Sequence, residues 1–168
     1  MKPLIKICGI ADEDNLIKLT KIEKINFLGF IFYEQSPRNA TGELINSISH
    51  IDFKNKRAVC VYVNADKEFI EETSSYFVNP ILQFHGDETN AFCKSFKKDF
   101  WKVIRVKDDE SMNFVNDYPD ASGILFENYE NGLYGGTGNS FDWNLMNNAK
   151  DLDIKIILSG GINIKNVD

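Results

Sequence analysis

The sequence predicts an α/β fold built on a parallel sheet, and three observations predict it. Seven short runs rich in β-branched and aromatic residues recur along the chain: Leu4–Cys8, Phe27–Phe32, Ala58–Val63, Ile81–His85, Trp101–Val106, Gly123–Glu127 and Ile154–Leu158. Polar stretches with helical spacing lie between them, as at Asp12–Ile22, Thr41–Ile51, Asp66–Phe77 and Glu88–Lys97. Those stretches open on residues suited to N-caps, namely Asp12, Thr41, Asp66 and Asp87. A short side-chain oxygen there accepts from backbone N–H groups that the first helical turn leaves unpaired. Strand then helix, in unbroken repetition, marks a parallel sheet, because parallel neighbours need a crossover.

Two architectures satisfy this order. One is an open doubly wound sheet; the other is an eight-stranded barrel lacking its last unit. The length of 168 residues favours the open sheet, since complete barrels usually need about 200 residues or more. The last residues favour the barrel. Ile154–Leu158 reads as a buried strand, Ser159-Gly160-Gly161 as a turn, and Ile162–Asp168 as a helix barely begun. So short a helix would leave its strand uncovered. No linker or low-complexity tract divides the chain, so residues 1–168 are expected to form a single (β/α) barrel domain lacking the eighth strand–helix unit.

Composition narrows the function classes. Apolar residues make up 43% and charged residues 26% of the chain, the balance of an ordinary globular protein. No apolar run approaches the roughly 20 residues that span a bilayer, and the N-terminus lacks a signal-peptide layout. The expected location is the cytoplasm, without membrane partners. The net charge of −6 disfavours nucleic acid, whose phosphates call for a basic face. Three cysteines, Cys8, Cys60 and Cys93, show no paired spacing, and there are two histidines, His50 and His85. Neither a disulfide framework nor a metal site is expected.

Strand parity places the chemistry. Residues two apart share a face. If Ile5 and Ile7 pack on helices, Lys6 and Cys8 point into the barrel. By the same rule Leu82 and Phe84 send Gln83 and His85 inward, and Ile124 and Phe126 send Leu125 and Glu127 inward. Reactive types thus fall at the carboxyl ends of the first, fourth and sixth strands, the end that carries the active site in barrel enzymes. Each residue also has a plain structural account. Cys60, in Val59-Cys60-Val61, reads as a small buried hydrophobe, and Cys93 as helix packing. His85 could end a strand on a backbone bond, Glu127 and Arg38 could be solvated, and Lys6 could pair with a carboxylate. Cys8 differs in sharing its face with Lys6, since a nearby ammonium favours the thiolate. Gly135, Gly136 and Gly138 form a flexible loop on any account. Ser159, Gly160 and Gly161 follow a strand and precede a helix start, a place where backbone amides suit an anion.

Six motifs, in order, resemble phosphoribosylanthranilate isomerases. They are Lys6-Ile7-Cys8-Gly9-Ile10; Leu28–Phe32 followed by Ser36-Pro37-Arg38; Val61-Tyr62-Val63-Asn64; Leu82–Glu88; Tyr134–Gly138 with Phe141-Asp142-Trp143; and Leu158–Ile162. The resemblance implies a (β/α)₈ barrel and an Amadori rearrangement of N-(5′-phosphoribosyl)anthranilate in tryptophan biosynthesis, with no cofactor or metal. It implies Cys8 as general base and Glu127 as general acid. It assigns Arg38 to the anthranilate end, with Lys6, Gln83 and His85 in the substrate site. Ser159, Gly160 and Gly161 correspond to part of the phosphate cradle.

The chain departs from the family in two ways. The family's acid is an aspartate, where this chain has Glu127, one methylene longer. The family also continues into an eighth strand, which supplies an aspartate and the rest of the phosphate site. The 168-residue chain alone is therefore expected to be poorly soluble or inactive, with a homodimer or a completing chain as partner arrangements that stay open. Competing expectations are a decayed phosphosugar-binding paralogue, an aldolase-type or indole-forming barrel using Lys6 as a Schiff-base lysine, and an open-sheet signalling module.

Overall fold

Every predicted strand forms. A computed structural model of the chain describes residues 3–131, 140–145 and 154–163. Two compact units emerge, Met1–Gln83 and Phe84–Asp168.

In the first unit, β1 (Ile5–Cys8), α1 (Glu13–Thr20), β2 (Ile25–Phe32), α2 (Gly42–Ile48), β3 (Arg57–Tyr62) and α3 (Lys67–Ser75) follow one another. The strands pair in parallel, with Cys8 opposite Gly29 and Phe30 opposite Cys60. β2 is apolar almost throughout and buried over most of its length, as a strand covered on both faces should be. Asp12 and Asp66 cap α1 and α3 as expected, accepting from Asn15 N and Phe69 N at 2.8 Å. Thr41 holds the cap position of α2 but makes no side-chain cap bond. An aromatic cluster fills the core: Phe30 lies 4.8 Å from Phe77, and Phe32 stacks on Tyr62 at 5.5 Å between ring centroids. The Tyr62 hydroxyl is bonded to Thr73 Oγ1 at 2.9 Å, which satisfies a phenol that burial would otherwise penalise.

β4 (Ile81–Phe84) runs across the boundary between the units. The second unit continues with α4 (Asn90–Lys94), β5 (Phe100–Val106), a 3₁₀ segment (Asp109–Asp117), β6 (Gly123–Asn128) and β7 (Ile156–Leu158). β5, β6 and β7 pair in parallel, with Val103 opposite Leu125 and Phe126 opposite Leu158. Ile104, Val106, Ile124 and Phe126 form one apolar layer with Met112 and Val115 of the 3₁₀ segment. Phe84 packs edge-on against Phe92 of α4 at 6.1 Å. Ile124 and Phe126 share the face packed on the 3₁₀ segment, as the parity of the sixth strand predicts.

Two local expectations need correcting. The cap of α4 is Thr89, not Asp87: Thr89 Oγ1 accepts from Phe92 N at 3.3 Å. Asp87 lies too far upstream for the first turn and pairs with Arg105 Nη2 at 3.3 Å. Ile5 and Ile7 are not packed under helices. They remain 40% and 37% exposed, on a strand whose ladder runs with β2.

Asp108 opens the 3₁₀ segment with a capping box. Its carboxylate accepts from Ser111 Oγ at 2.8 Å and Ser111 N at 3.0 Å, and Ser111 Oγ accepts in return from Asp108 N at 3.3 Å. The side-chain bond, then the backbone bond, from Ser111 holds the Asp108 carboxyl below its ordinary value of 3.8. A lowered folded value means that the ionised cap stabilises the fold fully above the unfolded value. That contribution is lost as pH falls through the folded value. Asp108→Asn is therefore expected to be less stable than wild type at pH 7, with a smaller gap at about pH 3, below the ordinary carboxyl value. Urea midpoints at both pH values measure it, and a gap unchanged with pH would contradict it.

Candidate functional site

The first unit brings together Lys6, Cys8 and Gln83. Lys6 and Cys8 lie on one face of β1, two residues apart, and Gln83 reaches the same ammonium from β4. Lys6 Nζ donates to Gln83 Oε1 at 2.6 Å and to Cys8 Sγ at 3.3 Å. Gln83 is buried, and Cys8 is half-buried. Opposite Cys8 in the ladder stands Gly29. A Cβ there would come within 2.9 Å of both Cys8 Sγ and Lys6 Cε, so the glycine vacates the space those side chains fill.

Arg38 arrives from the turn after β2. Its Nη1 donates to the Cys8 carbonyl at 3.2 Å, and its guanidinium lies over Gly9. Gly9 is required twice. Its φ of +84° suits glycine, and a Cβ would sit 2.7 Å from Arg38 Nη1. Gly9 N and Ile10 N both donate to Gly29 O, at 3.0 and 3.1 Å, which fixes the sharp exit from β1. The result is a thiol at a strand's carboxyl end beside an ammonium, with an exposed guanidinium one residue further on. A thiol so placed suits proton abstraction, and the paired donors of the guanidinium suit a carboxylate.

The second unit brings His85 and Glu127 together. His85 follows the last residue of β4, Glu127 lies near the end of β6, and both are buried. His85 Nε2 is 2.7 Å from Glu127 Oε2. Neither atom has a formed hydrogen bond among the described residues. A basic ring and an acid this close, with spare bonding capacity, make a proton-handling pair. Sequence parity named both residues but not their contact, because parity gives a face and not a neighbour.

Beneath His85 lies a buried ion pair that sequence reading missed. Lys102 Nζ, on the apolar face of β5, donates to Glu88 Oε2 at 2.9 Å and to Gly86 O at 2.7 Å. Glu88 Oε2 also accepts from Gly86 N at 3.0 Å. The turn carrying His85 is thereby tied to β5. The available signal was parity: Lys102 shares a face with Ile104 and Val106, where a lone charge needs a partner.

Ser159 extends the β6–β7 pairing, its N–H donating to Phe126 O at 2.9 Å. Gly160 and Gly161 both take positive φ, +85° and +66°. At Gly161 a Cβ would meet the Ser140 backbone N at 2.7 Å, so no side chain fits. The predicted flexible loop, with Gly135, Gly136 and Gly138, lies outside the described residues. Among the described residues no group of three or more His, Cys, Asp or Glu side chains is arranged to hold a metal, and no helix is long and apolar enough to cross a membrane.

Parallel strand–helix units, with polar side chains at the strand ends in each unit, define the class: an α/β-barrel enzyme. Residues 5–168 match the model of the N-(5′-phosphoribosyl)anthranilate (PRA) isomerase family. The chain is 37% identical to the N-(5′-phosphoribosyl)anthranilate isomerase of Nitrosomonas europaea over 99% of its own length and 78% of that protein's. Among solved structures, the phosphoribosyl anthranilate isomerase of Thermotoga maritima superposes with a TM-score of 0.83 at 29% identity, covering 99% of this chain and 80% of that one. Another, a phosphoribosyl anthranilate isomerase in complex with reduced 1-(o-carboxyphenylamino)-1-deoxyribulose 5-phosphate, gives 0.79 at 28% identity, with 99% of this chain and 79% of that one covered. The chain belongs to the PRA isomerase family.

Proposed function

We propose that the protein converts N-(5′-phosphoribosyl)anthranilate into 1-(2-carboxyphenylamino)-1-deoxyribulose 5-phosphate in tryptophan biosynthesis, with Cys8 as general base and Glu127 as general acid. The observation that carries the base assignment is the Lys6 ammonium 3.3 Å from the Cys8 sulfur. Glu127 protonates the ribose ring oxygen, and the ring opens to an iminium that acidifies the C2 proton. Cys8 removes that proton to give an enolamine, which tautomerises to the ketone. Glu127 is buried against His85, a partner from which it can regain a proton between turnovers. Arg38 meets the anthranilate carboxylate. Ser159, Gly160 and Gly161 serve the phosphate, supported by a turn whose positive φ angles and contact with Ser140 leave room only for backbone. The bound ligand of the related solved structure carries the groups these roles require, a carboxyphenyl amine and a 5-phosphate.

The test uses the whole gene product with N-(5′-phosphoribosyl)anthranilate as substrate. Turnover is expected, and Cys8→Ala should reduce it by about 10²-fold or more. Binding of the reduced product analogue without turnover by the unaltered protein would sink the catalytic assignment and favour a phosphosugar-binding role.

A further inference from the structure

We propose that Gln83 is a positioning residue: it fixes the Lys6 ammonium on the Cys8 sulfur, and Gly29 makes the room. The inference deepens the reading of Cys8 as base and rests on it.

The geometry has three parts. Lys6 is a long, flexible side chain whose ammonium would prefer water. Its 2.6 Å bond to Gln83 Oε1 takes one donor and holds the head in place. A second donor then falls on Cys8 Sγ at 3.3 Å. Gly29 completes the arrangement, since any Cβ at that ladder position would displace the Cys8 sulfur and the Lys6 stem together.

The acceptor's chemistry matters. A carboxylate at position 83 would hold the ammonium equally well, but it would compete with the sulfur for its charge. The neutral amide of Gln83 orients the ammonium and leaves that charge to stabilise a thiolate. Arg38, bonded to the Cys8 carbonyl, is a second cation beside Cys8.

The chain is suited to a direct reading of this. Cys60 and Cys93 are fully buried, and burial pushes the Cys93 thiol up to about 12. In the native protein, iodoacetamide therefore reports on the half-buried Cys8. Lys6→Met is expected to slow its alkylation at pH 7 roughly tenfold, the size of a lost hydrogen bond to a charged group. Gln83→Leu should slow it about threefold or more, by freeing the ammonium. Gln83→Glu should also slow it, although the Lys6 bond is kept. A merely structural role would leave Gln83→Glu at the wild-type rate. Mass spectrometry assigns the modified residue, and urea-denatured samples should all react alike, which removes folding from the comparison. Wild-type alkylation in Lys6→Met, or in Gln83→Glu, overturns the proposal.

The outcomes separate this inference from the catalytic one. Slow alkylation in Lys6→Met beside full turnover in Cys8→Ala would keep the positioning role and remove Cys8 as base. Wild-type alkylation in Lys6→Met beside a dead Cys8→Ala would do the reverse.

Discussion

Glu127→Gln is expected to lower the turnover number by about 10²- to 10⁴-fold, the range general acid catalysis supplies. Glutamine keeps the length and shape of the side chain and its place near the end of β6, but it has no acidic proton to deliver to a ring oxygen. Substrate affinity should change far less, because the amide still offers a donor. Glu127→Asp makes the complementary measurement. It restores the residue type that the family resemblance implies at this position, while moving the carboxyl about one methylene away from His85. It should remain well above Glu127→Gln in turnover, since the proton survives and only its position changes. Steady-state kinetics on the three proteins decide it. Glu127→Gln turning over at the wild-type rate would remove Glu127 from the mechanism.

Lys102→Met is expected to destabilise the fold by about 3–5 kcal/mol, the cost of leaving one member of a buried ion pair without its partner. Met preserves the stem that packs beside Ile104 and Val106. What disappears is the ammonium, which donates to Glu88 Oε2 and Gly86 O. Glu88 then stays buried without the ammonium, Gly86 N still donating to it, and the carbonyl of Gly86 loses this donor. Adding Glu88→Gln to Lys102→Met should recover part of the loss, because a buried amide costs less than a buried carboxylate. Urea unfolding of the two variants measures this. A Lys102→Met midpoint close to wild type would show that water or a rearranged side chain replaces the ammonium.

The two predictions are connected through the turn His85–Glu88. Its first residue faces Glu127 and its last is held by Lys102. An ion pair that stabilises the fold thus also holds the residue against which the proposed acid rests. Both contacts lie within one unit of the structure.

Local chemistry in the sequence determined the order of elements, the parallel pairing and most caps. Alternating apolar runs and capping oxygens act over a few residues, and those residues are adjacent in the chain. The faces of Cys8, Gln83, His85 and Glu127 were legible for the same reason, since side-chain parity is a property of a single strand. Asp87 was misread because Asp87 and Thr89 are both cap-forming types two positions apart, and only the backbone path chooses between them. Tertiary structure alone decided who touches whom. The Lys6–Gln83 bond joins residues 77 apart, and the Lys102–Glu88 pair residues 14 apart. His85, just past β4, meets Glu127 near the end of β6. Such contacts depend on how separate strands are registered, and no local pattern encodes that register. The exposure of Ile5 and Ile7 follows the same principle: an apolar side chain states a preference for burial, and only the neighbours present in space satisfy it.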